Sequence, residues 1–247
     1  MAGDLPPQVI RLARFKQKIR QDLAQVPNYT CLETMERSER GPRASSFRPL
    51  DTVRLEISNV NGKELLALPG AGRFEDKSLS SFVTTGAIGN GIFALNAHNL
   101  FVEDLIAFEY HGEENLDGRG AMRYDYRIAQ FLSAYKISVT GVSATIGTKG
   151  SFWFDPISLD LLRLDVTGDE MPVELGLAEF FVRTYYARQH IGNSGALLPQ
   201  RAELMLRHFS GEASRNVIAF SACREYGSES TISFDPPPQS TPALPKP

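Results

Sequence analysis

The stretch from Lys149 to Asp169 constrains the fold more than any other. Phe152, Trp153 and Phe154 put three aromatic rings in one short run, and Asp155-Pro156 breaks it. Leu159 to Val166 is a second apolar run, broken by Gly168-Asp169. Two strands joined by a short polar turn fit this pattern. A pair this apolar cannot stand alone in water and requires a sheet around it.

The rest of the chain supplies that sheet. Tyr29 to Arg37 is a first strand of mixed polarity, and Gly41 to Pro49 is a loop. In Thr52 to Asn59, Val53, Leu55 and Ile57 alternate with Arg54, Glu56 and Ser58. Asn61-Gly62 is a hairpin signal, with Lys63 to Leu68 as the return strand. Leu105 to Tyr110 is the next strand, and residues 112–120 read as a polar turn. Met122, Tyr124, Tyr126 and Ile128 alternate with charged residues. Tyr135, Ile137 and Val139, then Val142, Ala144 and Ile146, follow the same rule. Leu175 to His190 is apolar on both sides, Asn193 to Gly195 turns, and Arg201 to Arg207 alternates again. Asn216 to Tyr226 is the last long strand.

Two helical segments interrupt this pattern. Leu12, Phe15, Ile19, Leu23 and Val26 recur at helical spacing, so Val9 to Val26 is an amphipathic helix. Arg11, Arg14, Lys16, Lys18 and Arg20 make its solvated face. Phe74 to Val102 is the second interruption, with Ile88, Ile92, Leu95 and Val102 on one helical face. Its length is typical of a covering element, an inserted helical lid. Gly86, Gly89 and Gly91 tempt a phosphate-loop reading, but no Lys-Ser or Lys-Thr follows them. Short turns between alternating runs imply antiparallel neighbours. The class is therefore α+β: one large curled antiparallel sheet of about 10–11 strands, carrying segregated helices. Residues 9–235 are expected to form one domain, and 236–247, with six prolines, a disordered tail.

The composition excludes several functions. A net charge of −3 gives no electrostatic footprint for nucleic acid. No apolar run reaches the roughly 18 residues of a membrane-spanning helix. The histidines, His98, His111, His190 and His208, have no metal-ligand spacing. No G-x-S-x-G elbow is present, and acid pairs such as Glu113-Glu114 and Asp169-Glu170 fall in turns. No cofactor, metal or catalytic residue is expected, so the chain reads as non-enzymatic. The aromatic run at 152–154 fits a core or cavity lining better than a sugar-stacking platform. Cys31 and Cys223 leave two readings open: separate buried thiols, or a disulfide joining the first strand to the last.

Two sets of residues carry a family resemblance. Gly150 to Pro156 followed by Leu161 to Asp165 resembles the W-x-D-P and L-x-R hairpin of the LolA/LppX-like periplasmic lipoprotein-carrier superfamily. Asn28 to Cys31 and Phe220 to Tyr226 resemble the two ends of a group of secreted proteins of acidobacterial type. The resemblance implies an extracytoplasmic half-barrel, its signal sequence removed, that carries a lipid or lipidated protein on its concave face. It also favours the Cys31–Cys223 disulfide. An envelope protein partner would suit such a carrier. Candidate lining residues are Val53, Leu55, Ile57, Ile92, Leu95, Met122, Tyr124, Tyr126, Phe152, Trp153, Phe154, Leu162 and Leu164. The alternatives are a structural or protein-interaction module with a filled core, and third a cryptic hydrolase.

Overall fold

The computed structural model describes residues 5–60, 63–71, 73–76, 79–83, 88, 97, 100–101, 106–139, 141–192 and 194–226. Helix α1 (Pro7–Ala24) comes first, with proline in its opening turn, where the missing N–H costs nothing. Its Phe15 and Ile19 are buried, and Leu12 and Leu23 pack beside them. Twelve strands follow among the described residues: β1 (Tyr29–Arg40), β2 (Arg48–Val60), β3 (Lys63–Ala67), β4 (Phe108–Leu116), β5 (Arg119–Ile128), β6 (Lys136–Val139), β7 (Val142–Thr145), β8 (Gly147–Phe154), β9 (Leu161–Asp169), β10 (Leu177–Ile191), β11 (Ser194–His208) and β12 (Ala213–Glu225).

Ten of these strands form one antiparallel sheet in the order β3-β2-β1-β12-β11-β10-β9-β8-β5-β4. Neighbours along the chain pair as hairpins, apart from the long-range pairing of β1 with β12 and the β5–β8 step that leaves out β6 and β7. The sheet does not close, and β3 and β4 are its edges. The chain between β3 and β4 must therefore travel from one edge to the other. Its described residues show the route: Leu79, Phe82 and Ile88 pack at one end of the sheet, and Ala97, Leu100, Phe101 and Ile106 at the other. This is the stretch where the β pattern lapses in the sequence. Leu79–Phe82 is a short 3-10 turn, and Ala97, Leu100 and Phe101 are helical. Ile92, Leu95, Val102, the three glycines, the Asn61-Gly62 turn, Asn193 and the proline-rich tail lie outside the described residues.

Two expectations need correction. The polar turn placed at residues 112–120 shrinks to Asp117-Gly118, because β4 runs on to Leu116. As an edge strand, β4 can expose Glu109, Glu113 and Glu114, and so it reads as a turn in the sequence. The alternating runs around Tyr135 and Val142 do not join the main sheet either. They form the separate β6–β7 hairpin, which buries Tyr135, Ile137, Val139 and Ile146 in the same core as Phe15. Alternation marks a strand with one apolar face; it does not say which surface that face covers.

Cys31 and Cys223 form a disulfide between β1 and β12, closing a separation of 192 residues. In the chain-entropy picture a link that long stabilises by at most about 5 kcal/mol. Reduction, or Cys31→Ser with Cys223→Ser, should lower stability by about 2–5 kcal/mol in denaturant unfolding. Phe15→Ala should cost about 3–5 kcal/mol by the same measurement.

Candidate functional site

The sheet has one covered face and one open face, and the register shows what each presents. On the covered face a row crosses eight strands: Tyr124, Phe152, Leu164, Thr184, Ala202, Ile218, Met35 and Val53. Thr184 is its one polar member. The adjacent row begins with Tyr126, Gly150, Val166, Val182 and Leu204, and ends polar with Asn216, Arg37 and Asp51. Gly150 belongs to the design of this face. A Cβ there would overlap the Asp165 carbonyl oxygen and crowd the Tyr126 hydroxyl, which donates to that same oxygen at 3.1 Å. Burial pushes the Tyr126 phenol well above its usual range.

The buried residues of this face form two clusters. The first lies under α1 and is filled. Phe15 stacks on Phe154 at 4.3 Å and on Phe152 at 5.4 Å, and meets Phe101 edge-on at 5.2 Å. Tyr124 donates to the Gln8 carbonyl at 2.7 Å, and Arg20 donates to the Phe101 carbonyl at 2.8 Å. The end of α1 is tied down by charge: Lys18 and Arg188 both reach Asp22 and Asp160, at 2.7–3.1 Å. Burial alone would raise the Asp160 carboxyl; hydrogen bonds from Arg188 and Lys18 outweigh it and hold it below the usual carboxylate range. The helix's basic residues are thus only partly a solvated face.

The second cluster surrounds the disulfide: Tyr29, Cys31, Met35, Ile57, Leu66, Ala202, Ile218 and Phe220 among others. Glu33 sits on this half of the covered face, paired across the ladder with Leu55 on one side and Phe220 on the other. It is 1% exposed, and neither carboxylate oxygen has a hydrogen-bond partner. Burial, helped by the nearby Glu64 carboxylate, pushes its carboxyl up to about 8. The Tyr186 hydroxyl is likewise buried without a partner, and burial raises it.

The expected lining residues divide between the two faces. Met122, Tyr124, Tyr126, Phe152, Phe154 and Leu164 come together in the first cluster. Val53 and Ile57 belong to the second; Leu55 is buried beside Glu33. Ile92 and Leu95 lie outside the described residues. Trp153 and Leu162 face the other way, in a small cluster with Ala121. Consecutive residues on a strand point to opposite sides, so Trp153 cannot share a face with Phe152 and Phe154. On the open face Trp153 stands in a second cross-strand row: Arg123, Trp153, Arg163, Tyr185 and Arg201. Guanidinium groups stack on the rings, 5.3 and 4.1 Å from Trp153 and 5.9 and 3.8 Å from Tyr185. Asp165 accepts from both Arg163 and Arg183 beside this row. Sequence reading missed Glu33, which shares a strand of mixed polarity with Glu36 and Glu39.

Among the described residues no helix is long and apolar enough to cross a membrane, and no three His, Cys, Asp or Glu side chains gather as metal ligands. No family model matches the chain, and no curated protein matches it. Among solved structures it is similar to a domain named for outer membrane lipoprotein sorting from Vibrio parahaemolyticus (14% identity, 90% of this chain and 93% of that chain, TM-score 0.42). It is also similar to a LolA superfamily protein from Nitrosomonas europaea (14% identity, 86% and 94%, TM-score 0.42). A DUF1329 family protein from Desulfovibrio piger is a third (13% identity, 89% and 92%, TM-score 0.41). Identities and TM-scores this low assign no function to this chain.

Two outcomes follow from this geometry. Gly150→Ala should destabilise severely, by more than about 3 kcal/mol, because backbone and not a flexible side chain occupies the space. Glu33→Gln should change the pH dependence of stability. Between about pH 4.5 and 8 the folded protein holds a proton at Glu33 that the unfolded chain releases. Raising pH through that window therefore removes stability, by up to about 1.4 kcal/mol per unit. Unfolding curves should show this decline in the wild type relative to Glu33→Gln; parallel curves across the window would contradict it.

Proposed function

We propose that this chain is a non-enzymatic extracytoplasmic binding or carrier protein for a lipid or another apolar ligand, held on the covered face. One observation carries the reading. An apolar row eight strands wide lies on one side of a sheet that does not close. Among the described residues its cover is one helix, one small hairpin and the residues Ala97, Leu100 and Phe101, none of which is in a strand of that sheet. Moving such a cover bares apolar surface without breaking the ten-stranded ladder. The disulfide suits a periplasmic or secreted protein, because oxidising compartments preserve such links.

The unit that binds is residues 9–235, and its cargo is an apolar small molecule or the acyl chain of a lipidated protein. The lining is drawn from Val53, Leu55, Ile57, Met122, Tyr124, Tyr126, Phe152, Phe154 and Leu164, with Ile92 and Leu95 added from the sequence pattern. The same superfamily resemblance and the acidobacterial-type ends support an envelope setting.

A second reading has its own observation. Phe15 fills the space under α1, and the four-charge network around Asp160 fastens the helix. A protein-interaction module with a permanently filled core would look like this. Native mass spectrometry after gentle purification should reveal a retained acyl ligand, and a neutral dye such as Nile red should bind and be displaced by lipid extract. A protein that is empty and also leaves the dye free would favour the filled-core module.

A further inference from the structure

We propose that Glu33 is the polar anchor of a ligand site on the covered face, and that the head group it takes is a protonated amine on an apolar chain. The inference rests on the carrier reading and names the class of ligand. Glu33 is buried with both oxygens unpartnered, and its cross-strand neighbours, Leu55 and Phe220, offer no donor. Along its own strand the residues on the same face, Cys31 and Met35, are apolar as well. A carboxyl group held this way costs stability in the empty protein, since it has lost water and gained nothing in exchange. A donor supplied by a ligand would recover that loss.

The charges facing Glu33 select the sign of the head group. Glu64 on β3 is near enough to raise both Glu33 and the Tyr29 phenol. From β10 the Tyr186 hydroxyl, also buried and unpartnered, lies within reach of Tyr29 electrostatically. The cation on this face of β1, Arg37, is held by Asp51 through two hydrogen bonds of 2.7 and 2.6 Å. Among the described residues the surroundings therefore contain acids and phenols, and the Arg37 guanidinium is already engaged. An anionic head group would meet repulsion here. An ammonium would donate to Glu33 in a charge-assisted pair, with the Glu64 field adding to the attraction. The Glu33 proton, held near neutral pH when the site is empty, leaves to solvent as the pair forms, so binding is linked to release of one proton.

The test compares dodecylamine, dodecanol and lauric acid, each below its micelle concentration, by calorimetric titration of the whole chain. Dodecylamine should bind about tenfold or more tightly than dodecanol, and lauric acid most weakly. Glu33→Gln and Glu33→Leu should bring dodecylamine to the level of dodecanol. Glu33→Leu should also raise the melting temperature, which shows that the lost binding is not lost folding. Equal binding of the three amphiphiles, or an undiminished amine preference in both variants, overturns the role of Glu33 and leaves the carrier reading standing. Failure of all three to bind overturns both.

Discussion

The antiparallel pairing of β1 with β12 joins the start of the sheet to its end. Along this ladder Tyr29 to Arg40 lies against Ala213 to Glu225, with one register shift beside the disulfide. The other strand pairs of the main sheet join segments closer along the chain. Without this ladder the sheet would divide into a three-stranded piece, β1 to β3, and a meander from β4 onward. With it, β3 and β4 become the two edges, and the chain between them has to pass from one edge to the other. Closing a contact this distant along the chain has a high entropic cost, which a cross-strand disulfide lowers by holding the two ends together in the unfolded chain as well.

The two faces solve opposite problems. The open face has to live in water while holding strands in register. It does so with a row of guanidinium groups and aromatic rings stacked across five strands, with carboxylates such as Asp125, Asp165 and Glu203 bonded alongside. Burial would raise the Asp125 carboxyl, but Ser151 and Arg123 outweigh it and keep it low. The covered face is apolar, well packed under α1, and carries one unsatisfied acid near the disulfide. Tight packing at one end and an unmet hydrogen-bonding capacity at the other set the two halves of this face apart.

Much of this was legible in the residues. The hairpin from Lys149 to Asp169, the alternating strands and the amphipathic helix follow from short-range periodicity, and the structure keeps them with shifts of a few residues at their ends. Even the two-faced placement of Trp153 was available, since residues on either side of it must point the other way. The edge strand β4 was harder, because a strand with one free side can be as polar as a turn. The β6–β7 hairpin was harder still: its Tyr135 and Ile137 need burial, and the pattern does not name the surface that buries them. Glu33 looked like one more polar residue in a mixed strand. Its isolation depends on Leu55 and Phe220, which arrive from strands at either side.

By itself the sequence determined the elements, their apolar sides and the antiparallel sense of neighbouring strands, because these follow from the alternation of side chains and the reach of short turns. Only the tertiary structure decided that the first and last strands meet, that Cys31 and Cys223 bond, and that a hairpin shares the cover with the helix. It also decided that the Glu33 carboxyl is left dry among hydrocarbon. Those outcomes depend on contacts between residues far apart in the chain, where the entropy of closure is overcome only by the collective burial of the whole face.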